Sequence, residues 1–458
     1  MSLLSILSLL LLTSAVAGAG AASITLPLSP LSALNHADPF QNLKFLATLS
    51  TTRARHLKRP GKNSTFSPSS SGNTDIPLLP QSYGGYSVSL SFGTPPQKFD
   101  LVMDTGSSLV WFPCTSRYTC SRCNFPNVDP ENITAFMPKL SSTAKVIGCK
   151  NPKCGLIYGS DSLSTCRNCV GNNCTEICPP YMVQYGSGST SGLLLSETLD
   201  LPGKLVEGVL VGCSIISTQQ PSGIAGFGRG PESLPVQMGL KKFSYCLVSH
   251  NFDDTGHGSE MVLVSGSGKT RDVSYTPFVN NTMAYSLNPA FSNYYYVGLR
   301  KITVGGRKVR IPYRFLAPGA DGSGGTIIDS GTTFTFMERD VHGLVAAAFE
   351  KEMGKYKRVS EVEDRSGLRP CFDVSNETTV SFPELVFHFK GGAKMEFPLA
   401  DYFSLVDGNG VICMTIVTDD VVKVVGGPSI ILGNYQQQNF YVEYDLENQR
   451  LGFRKKTC

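Results

Sequence analysis

Two short stretches, Leu101-Val-Met-Asp104-Thr-Gly-Ser-Ser108 and Thr326-Ile-Ile-Asp329-Ser-Gly-Thr-Thr333, follow one pattern. Each places an Asp after two apolar residues and before a hydroxyl residue, a glycine and a second hydroxyl residue. One copy predicts a strand that ends in a tight turn. Two copies in one chain predict a duplicated molecule in which two carboxylates come together.

The repeat extends beyond the two Asp stretches. Gly223-Ile-Ala-Gly226 follows the first Asp and Ile430-Ile-Leu-Gly433 follows the second, each after roughly a hundred residues. Each half of the chain therefore carries an Asp turn and a later apolar-apolar-Gly segment. Duplication of one lobe explains this order with a single assumption.

Two carboxylates held close together cannot both ionise at low cost, so the pair shares one proton. One carboxyl can then take a proton from water while the other donates a proton to a carbonyl oxygen. The residues around each Asp suit this chemistry. Gly106 and Gly331 allow the sharp turn, and the hydroxyls of Ser107 and Thr332 can orient the carboxylates. The hydroxyl residues that directly follow each Asp are placed to bond across the two loops.

These motifs resemble the pepsin-like aspartic peptidases, and within them the plant nepenthesin-like branch, over residues 83–458. The resemblance rests on an ordered set of motifs and not on a lone Asp-Thr-Gly. Its further anchors are Trp111, Tyr185-Gly-Ser-Gly-Ser189, Phe243-Ser-Tyr-Cys246 and Cys458. The second motif is Asp-Ser-Gly where the family has Asp-Thr-Gly, and this change keeps the hydroxyl.

The resemblance implies a strand-dominated, bilobal pepsin-like fold with a few short helices. It makes Asp104 and Asp329 the catalytic pair, Tyr185 the tyrosine of a flap over the cleft, and Trp111 the residue that steadies that tyrosine. Without the repeated motif around it, each Asp would be interpreted as a residue that forms a turn. Trp111 would then be a core residue and Tyr185 an ordinary strand residue.

Cysteine usage indicates an oxidising compartment. The chain has 14 Cys, nine of them between Cys114 and Cys178, so at least one of these must reach a distant partner. Two CxxC pairs leave a zinc knuckle as the alternative to disulfides. The resemblance implies a bond from Cys213 back to the cysteines at 114–123. It also implies the bonds Cys371–Cys413 and Cys246–Cys458.

The N-terminus predicts secretion. Residues 1–23 carry no charge, and the apolar run within them is typical of a signal peptide, although it lacks a preceding Lys or Arg. No later stretch reaches the length of a membrane span. We expect the protein outside the cell, in the cell wall or in the vacuole. Five sequons are compatible with glycosylation: Asn63, Asn132, Asn173, Asn280 and Asn376.

Residues 24–80 differ in character from the rest of the chain. They contain a basic run at 53–59 and then become rich in Ser, Pro, Gly and Asn. Composition alone leaves a disordered linker and a removable propeptide, with cations over an acidic cleft, equally open. The resemblance favours the propeptide. An N-terminal lobe at 81–280, with a Cys-rich insertion at 114–180, and a C-terminal lobe at 281–458 follow.

Patterns within the lobes predict individual elements. Clean alternation predicts strands at 86–92 and 98–103. Apolar residues spaced along one stripe from Glu338 to Met353 predict a helix directly after the second Asp motif. A shorter helix is expected after Pro231, and the connection between the lobes is expected at 280–289.

Charge excludes one class of partner. The chain has 40 basic and 36 acidic residues. Residues 1–80 contain six of the basic and two of the acidic residues, so residues 81–458 contain 34 of each sign. This balance offers no basic patch for nucleic acid.

We expect a monomer without metal or cofactor that binds polypeptides. The predicted function is a secreted aspartic endopeptidase that works at acid pH. The alternative is an inactive pepsin-like binder, such as a glycoside hydrolase inhibitor.

Overall fold

The computed structural model of the chain describes residues 23–30, 39–58, 84–123, 132–159, 166, 169–170, 173–186, 188–249, 259–268, 270–281, 289–377, 379–406, 410–421 and 426–458. The predicted signal peptide lies outside these ranges except for Ser23, and so does the sequon at Asn63. Strands dominate the described part of the chain, as predicted.

The strands are short and numerous. In chain order they are β1 Ser23–Pro30, β2 Tyr86–Phe92, β3 Gln97–Asp104, β4 Trp111–Pro113, β5 Thr119–Ser121, β6 Lys145–Val146, β7 Cys169–Val170, β8 Asn173–Cys174, β9 Tyr181–Gln184, β10 Ser189–Leu201, β11 Lys204–Thr218, β12 Ile224–Gly226, β13 Lys242–Cys246, β14 Ser259–Val264, β15 Ser274–Pro277, β16 Tyr295–Val297, β17 Leu299–Val304, β18 Arg307–Lys308, β19 Thr326–Ile328, β20 Phe336–Met337, β21 Lys357–Arg358, β22 Cys371–Asp373, β23 Leu385–Phe389, β24 Lys394–Glu396, β25 Phe403–Leu405, β26 Val411–Met414, β27 Ile430–Leu432, β28 Phe440–Asp445 and β29 Arg450–Lys455.

The helices of the described residues are fewer. The α-helices are α1 Pro39–Lys58, α2 Pro152–Tyr158, α3 Leu234–Gln237, α4 Tyr313–Leu316, α5 Arg339–Glu352 and α6 Ser360–Ser366, and the 3-10 helices are Pro138–Leu140, Pro289–Asn293, Leu399–Asp401 and Asn434–Gln437. α5 is the helix that the apolar stripe predicts, and Val341, Val345 and Phe349 on that stripe are fully buried. α3 follows Pro231, as expected.

One large sheet ties the two ends of the chain together. Its strands run in the order β15-β29-β28-β13-β14-β1-β2-β3-β12-β4-β11-β10-β6. Strand β28, near the C-terminus, pairs antiparallel with β13, from Lys242 opposite Asp445 to Cys246 opposite Tyr441. Three four-stranded sheets, all built from β16 to β27, complete the second half of the described chain.

The two Asp stretches have the same topology, as the repeat predicts. β3 runs parallel to β12, with Asp104 opposite Gly226. β19 runs parallel to β27 in the same way, and the amide of Asp329 donates to the carbonyl of Leu432 over 3.0 Å. In both halves the later apolar-apolar-Gly segment therefore supports the strand that ends in the Asp.

The glycine of each supporting segment lies against the backbone of the Asp loop. A Cβ atom on Gly226 would lie 2.2 Å from the carbonyl carbon of Ser108, and one on Gly433 would lie 2.3 Å from the carbonyl oxygen of Thr333. Backbone cannot move aside as a flexible side chain can, so only glycine fits at these two positions.

We therefore expect Gly226→Ala to lower the free energy of unfolding by roughly 3 kcal/mol, the upper range for overpacking. The matched control is Gly343→Ala in α5, where a Cβ would meet nothing within 4 Å. That change should be neutral or stabilise the protein by about 0.5–1 kcal/mol. Urea unfolding of the two purified variants checks this, and equal midpoints would contradict the close approach.

The N-terminal segment is structured well before Tyr86, where the sequence predicts the first strand. β1 inserts into the large sheet between β14 and β2, and α1 is a helix of 20 residues. Neither range fits a disordered linker. The pattern misses both elements because their apolar residues are covered by the two lobes and do not form an independent core.

The described cysteines form six disulfides: Cys114–Cys213, Cys120–Cys123, Cys149–Cys166, Cys154–Cys178, Cys246–Cys458 and Cys371–Cys413. The members of the two CxxC pairs that lie in these bonds are therefore not zinc ligands. Cys114–Cys213 anchors the Cys-rich insertion to β11. That insertion contains short strands and α2 between its bonds, and so is less irregular than its sequence suggests.

Candidate active site

The two Asp loops meet at the middle of the molecule. Thr105 Oγ1 accepts a hydrogen bond from the amide of Ser330 over 2.9 Å. Ser330 Oγ accepts one from the amide of Thr105 over 3.1 Å and donates to the carbonyl of Met103 over 2.9 Å. All of these groups are buried. The reciprocal bonds hold the loops in register, and the hydroxyl after each Asp is what allows them.

Each carboxylate is oriented by its own loop in the same way. The Gly106 amide donates to Asp104 Oδ1 over 2.9 Å, and the Ser107 hydroxyl donates to Oδ2 over 2.6 Å. The Gly331 amide and the Thr332 hydroxyl bond Asp329 over the same distances, 2.9 and 2.6 Å. The two halves thus present equivalent carboxylates.

The carboxylates also lie against the opposite loop. A Cβ atom on Gly331 would come within 2.3 Å of Asp104 Oδ1, and one on Gly106 within 2.6 Å of Asp329 Oδ1. The glycines therefore clear the space in which the two carboxylates face each other. Both Asp side chains are almost completely buried, so any reaction between them takes place out of bulk water.

The hairpin of β9 and β10 covers this pair. Tyr185 at its tip is 2% exposed, and its amide donates to the carbonyl of Gly188 over 2.7 Å. The indole N–H of the fully buried Trp111 donates to the Tyr185 hydroxyl over 2.8 Å. The structure therefore brings the predicted flap tyrosine and its predicted support together.

Arg53 of α1 lies between the two carboxylates. Its Nη2 donates to Asp104 Oδ1 over 2.8 Å and to Oδ2 over 2.9 Å, and its Nε donates to Asp329 Oδ2 over 3.4 Å. Arg53 is only 5% exposed, and its backbone lies directly beneath Gly186 of the hairpin. One guanidinium thus neutralises the pair and fills the position that a reacting group would need.

The electrostatics of the three groups follow from burial and proximity. Burial opposes ionisation of Asp104, yet Arg53, Ser107 and Gly106 hold the pKa of Asp104 below its usual value. Burial raises the pKa of Asp329 to about 6, against the opposing effect of Arg53 and with a further contribution from Asp104. Burial also acts against the charge of Arg53, but the two carboxylates raise the pKa of Arg53 overall. One proton is therefore favoured on this pair at acid pH.

Further contacts fix α1 along the cleft. The amide of Phe334 donates to Ser50 Oγ over 2.8 Å. Arg55 Nη2 donates to Asp419 Oδ1 over 2.9 Å, and Lys58 pairs with Glu338. A cavity of about 20 Å³ remains beside the carboxylates, lined in part by Leu49 of α1 and by Gln220. It has room for about one water molecule and not for a peptide.

Some of these residues could be expected from the sequence and others could not. The basic run at 53–59 predicts cations over an acidic cleft, and Arg53 is one of them. Nothing in the local sequence singles out Glu338 or Asp419, because each lies far along the chain from α1. Tyr294, whose hydroxyl donates to the carbonyl of Leu57 over 3.4 Å, is likewise found only in the fold.

Metal sites and membrane spans are two other possibilities, and the described ranges bear on both. There, no group of three or more His, Cys, Asp or Glu side chains could hold a metal ion. No helix in the described part of the chain is long and apolar enough to cross a bilayer.

Family models match both halves of the chain. The model described as xylanase inhibitor N-terminal matches residues 86–263, and the model described as xylanase inhibitor C-terminal matches residues 294–455. The two matches divide the chain as the internal repeat does.

Named relatives are similar over most of their length. A probable aspartyl protease of Arabidopsis thaliana is 34% identical over 426 residues, which cover 83% of this chain and 84% of the relative. The aspartic proteinase nepenthesin-2 of Nepenthes gracilis is 33% identical over 383 residues, 82% of this chain and 78% of the relative.

Solved structures share the fold at lower identity. The crystal structure of basic 7S globulin from soybean has a TM-score of 0.60 at 17% identity, covering 96% of this chain and 98% of that one. The structure of conglutin gamma from lupine seeds has a TM-score of 0.61 at 16% identity, covering 95% of both chains. At such identity the likeness concerns the fold alone.

Proposed function

The chain belongs to the family of pepsin-like aspartic proteases, and we propose that it is a secreted aspartic endopeptidase made as an inactive precursor. The observation that carries the proposal is the pair of equivalent, buried carboxylates of Asp104 and Asp329, locked together by reciprocal loop bonds. The test is hydrolysis of a denatured protein by the acid-incubated chain, compared with variants of either Asp.

The proposed reaction needs only these two side chains and water. The ionised carboxyl takes a proton from a water molecule whose oxygen attacks the carbonyl carbon of a peptide bond. The protonated carboxyl gives its proton to the carbonyl oxygen. The resulting tetrahedral adduct collapses as its nitrogen takes the proton from the first carboxyl and leaves as an amine, while one of its hydroxyls returns a proton to the second carboxylate. No covalent bond to the enzyme forms, and the pair ends with one proton, as it began.

The precursor proposal concerns residues 24–80. α1 carries five basic or His residues and no acidic one, and Arg53 donates hydrogen bonds to both proposed catalytic carboxylates. A peptide cannot reach them while α1 is in place. We therefore infer that removal of this segment activates the enzyme. Six disulfides among the described residues support an oxidising compartment and hence secretion.

Glycosylation belongs to the same proposal. The sequons at Asn132, Asn280 and Asn376 are exposed. We propose N-glycans at these three positions and at the other two sequons, Asn63 and Asn173.

The alternative is a binder without activity. It draws support from the matching family models, which are described as xylanase inhibitor domains. Against it stand both complete Asp motifs and the hydrogen-bonded pair of Tyr185 and Trp111. An acid-incubated chain that hydrolyses nothing but binds a xylanase tightly would favour the binder.

The hydrogen bond between Trp111 and Tyr185 predicts a moderate effect on the rate of hydrolysis. Trp111→Phe keeps a large aromatic ring but removes the N–H that donates to the Tyr185 hydroxyl. Loss of one hydrogen bond of about 1 kcal/mol should lower kcat/KM for a peptide about fivefold. Steady-state kinetics of the activated protein checks this. Tyr185→Phe, which removes the acceptor of the same bond, serves as the second variant, and the double variant should be no worse than either single one. Additive losses would show that the bond is not the cause.

A further inference from the structure

β1 lies inside the large sheet and not at its edge. Its residues pair antiparallel with β14, from Ser23 opposite Val264 to Leu28 opposite Ser259. Its last residues also pair with β2, where Leu28 lies opposite Val88. Among the described strands, β1 is the link between β15-β29-β28-β13-β14 and the part of this sheet that begins with β2. Loss of β1 would divide the sheet at this point.

The side chains of β1 alternate between the core and the surface. Leu26 and Leu28 are 2% and 0% exposed. Both belong to the main cluster of buried apolar side chains in the described residues, and Ile24 packs against that cluster. Thr25 and Pro27, between them, are exposed. β1 is therefore part of the folded core, and its departure would leave cavities there.

Departure of β1 would also expose two strand edges. β14 and β2 would each present unpaired backbone N–H and C=O groups where β1 now lies. The two strands thus form a strand slot, with Ser259–Val264 on one side and 86–88 on the other. The slot fits an extended peptide with apolar residues at alternate positions, which is the pattern of β1.

β1 and α1 are held by different forces. On α1, Arg53 pairs with the carboxylates of both Asp loops, and Lys58 pairs with Glu338. These ion pairs are lost as the carboxylates take up protons in acid. β1 carries no side chain that titrates. Acid therefore weakens the docking of α1 by a route that does not apply to β1.

The strands on either side of β1 add no such dependence. On β14, Glu260 lies opposite Pro27, and both side chains are exposed. Protonation of Glu260 breaks no ion pair with β1, because β1 has no cationic side chain. On β2, Tyr86 lies opposite Pro30, and burial holds the pKa of its phenol well above the usual value. Tyr86 therefore keeps its proton at acid and neutral pH.

We propose that β1 stays in the strand slot after activation, as a separate peptide of a two-chain enzyme. This proposal rests on the proposed function, since it concerns processing of the same precursor. An endopeptidase, this one or another, hydrolyses one peptide bond between Pro30 and Pro39 and one between Lys58 and Gly84. Each hydrolysis consumes one water molecule and leaves a new carboxylate and a new amine. The two cuts free α1, whereas β1 keeps its neighbours on both sides. The competing account is that β1 leaves together with α1.

The test makes both cuts without the chain's own activity. Recognition sequences for a site-specific protease are inserted into residues 31–38 and 59–83 of the full chain that carries Asp329→Asn, and the added protease cuts both. Gel filtration follows at about pH 7 and at about pH 3, below the ordinary pKa of aspartate. Mass spectrometry of the protein fraction identifies the peptides that it retains. The β1 peptide should be retained at both pH values in an amount equal to the protein, and α1 should be lost at the lower pH.

Two adjacent positions of β1 provide matched variants. Leu26→Lys places a charge in the core, whereas Thr25→Lys places the same charge on the exposed face. Leu26→Lys should lower the retained amount of β1 peptide at least tenfold, and Thr25→Lys should leave it unchanged. Leu26→Ala adds no charge and serves if the lysine variant fails to fold. It should speed the loss of the peptide in repeated gel filtration at least tenfold.

The outcomes separate the retained strand from the proposed function. Recovery of the β1 peptide apart from the protein, whether the protein stays in solution or precipitates, overturns the retained strand and leaves the proposed function standing. Equal retention of the variants at Leu26 and Thr25 overturns it as well. A chain with both Asp residues that hydrolyses nothing after both cuts overturns the proposed function, while gel filtration still decides whether β1 stays.

Discussion

Replacing Asp104 or Asp329 with Asn is expected to lower peptide hydrolysis by roughly 10⁴-fold, the upper range for loss of a positioned acid or base. An amide can neither take a proton from water nor supply one to the carbonyl oxygen. The geometry should survive, because the Asn Oδ1 can still accept from Gly106 or Gly331. Because the proposed reaction needs both carboxyls in the same step, either substitution alone should be as damaging as both together.

The measurement is kcat/KM for one fluorogenic peptide at the acid optimum, with each variant freed of α1 by a second protease if it fails to process itself. Ser107→Ala is the matched control. It removes the hydroxyl that donates to Asp104 Oδ2 over 2.6 Å but leaves the carboxyl, so a loss of only about tenfold is expected. A variant of Asp104 or Asp329 that retained more than a tenth of the activity would contradict the assignment.

Replacing Arg53 with Gln is expected to release the cleft in the unprocessed chain. Removing one partner from a buried ion pair costs about 3–5 kcal/mol. Docking of α1 should therefore weaken by roughly 10²- to 4 × 10³-fold. Hydrolysis of a short peptide by the unprocessed variant should rise by a similar factor. The rise is limited by the rate of a protein whose cleft is fully free of α1.

The pH at which α1 leaves the cleft of the wild type follows from the ion pair of Arg53 and Asp104. Arg53 holds the pKa of Asp104 below its usual value, so the pair stabilises docking fully above the ordinary Asp pKa of about 3.9. That stabilisation is lost as the pH falls through the lowered pKa. The wild type should therefore open only below about pH 4, whereas Arg53→Gln should open at higher pH.

The readout is peptide hydrolysis in the first minutes after transfer to each pH, with gels to show that the chain is still unprocessed. Lys44→Gln is the matched control, since Lys44 is an exposed cation of the same helix. It should behave as the wild type. If Arg53→Gln required the same acidity as the wild type and Lys44→Gln, α1 would not be held by this pair.

The site loops could be predicted from the sequence because their chemistry is local and repeated. A strand that ends in Asp needs a glycine to turn and a hydroxyl to orient the carboxylate, and these residues are adjacent in the chain. The supporting segments at Gly226 and Gly433 are distant, but their close backbone approach demands glycine, which leaves a visible pattern.

α1 and β1 could not be predicted in the same way. The stretch Thr48-Leu-Ser-Thr-Thr52 within α1 contains few strong helix formers, and most of the helix is buried between the lobes. Its stability comes from packing and from ion pairs with residues several hundred positions away. The sequence shows the cations of this segment but not the carboxylates that receive them.

The central claim is that the paired carboxylates hydrolyse peptide bonds once α1 has left the cleft. The most direct measurement is the count of new amino termini in a denatured protein after incubation with the acid-treated wild-type chain, with and without pepstatin, alongside N-terminal sequencing of the chain itself. The account predicts many new termini, suppression by pepstatin, and a mature N-terminus beyond α1. Complete removal of α1 with no new termini in the substrate would contradict it.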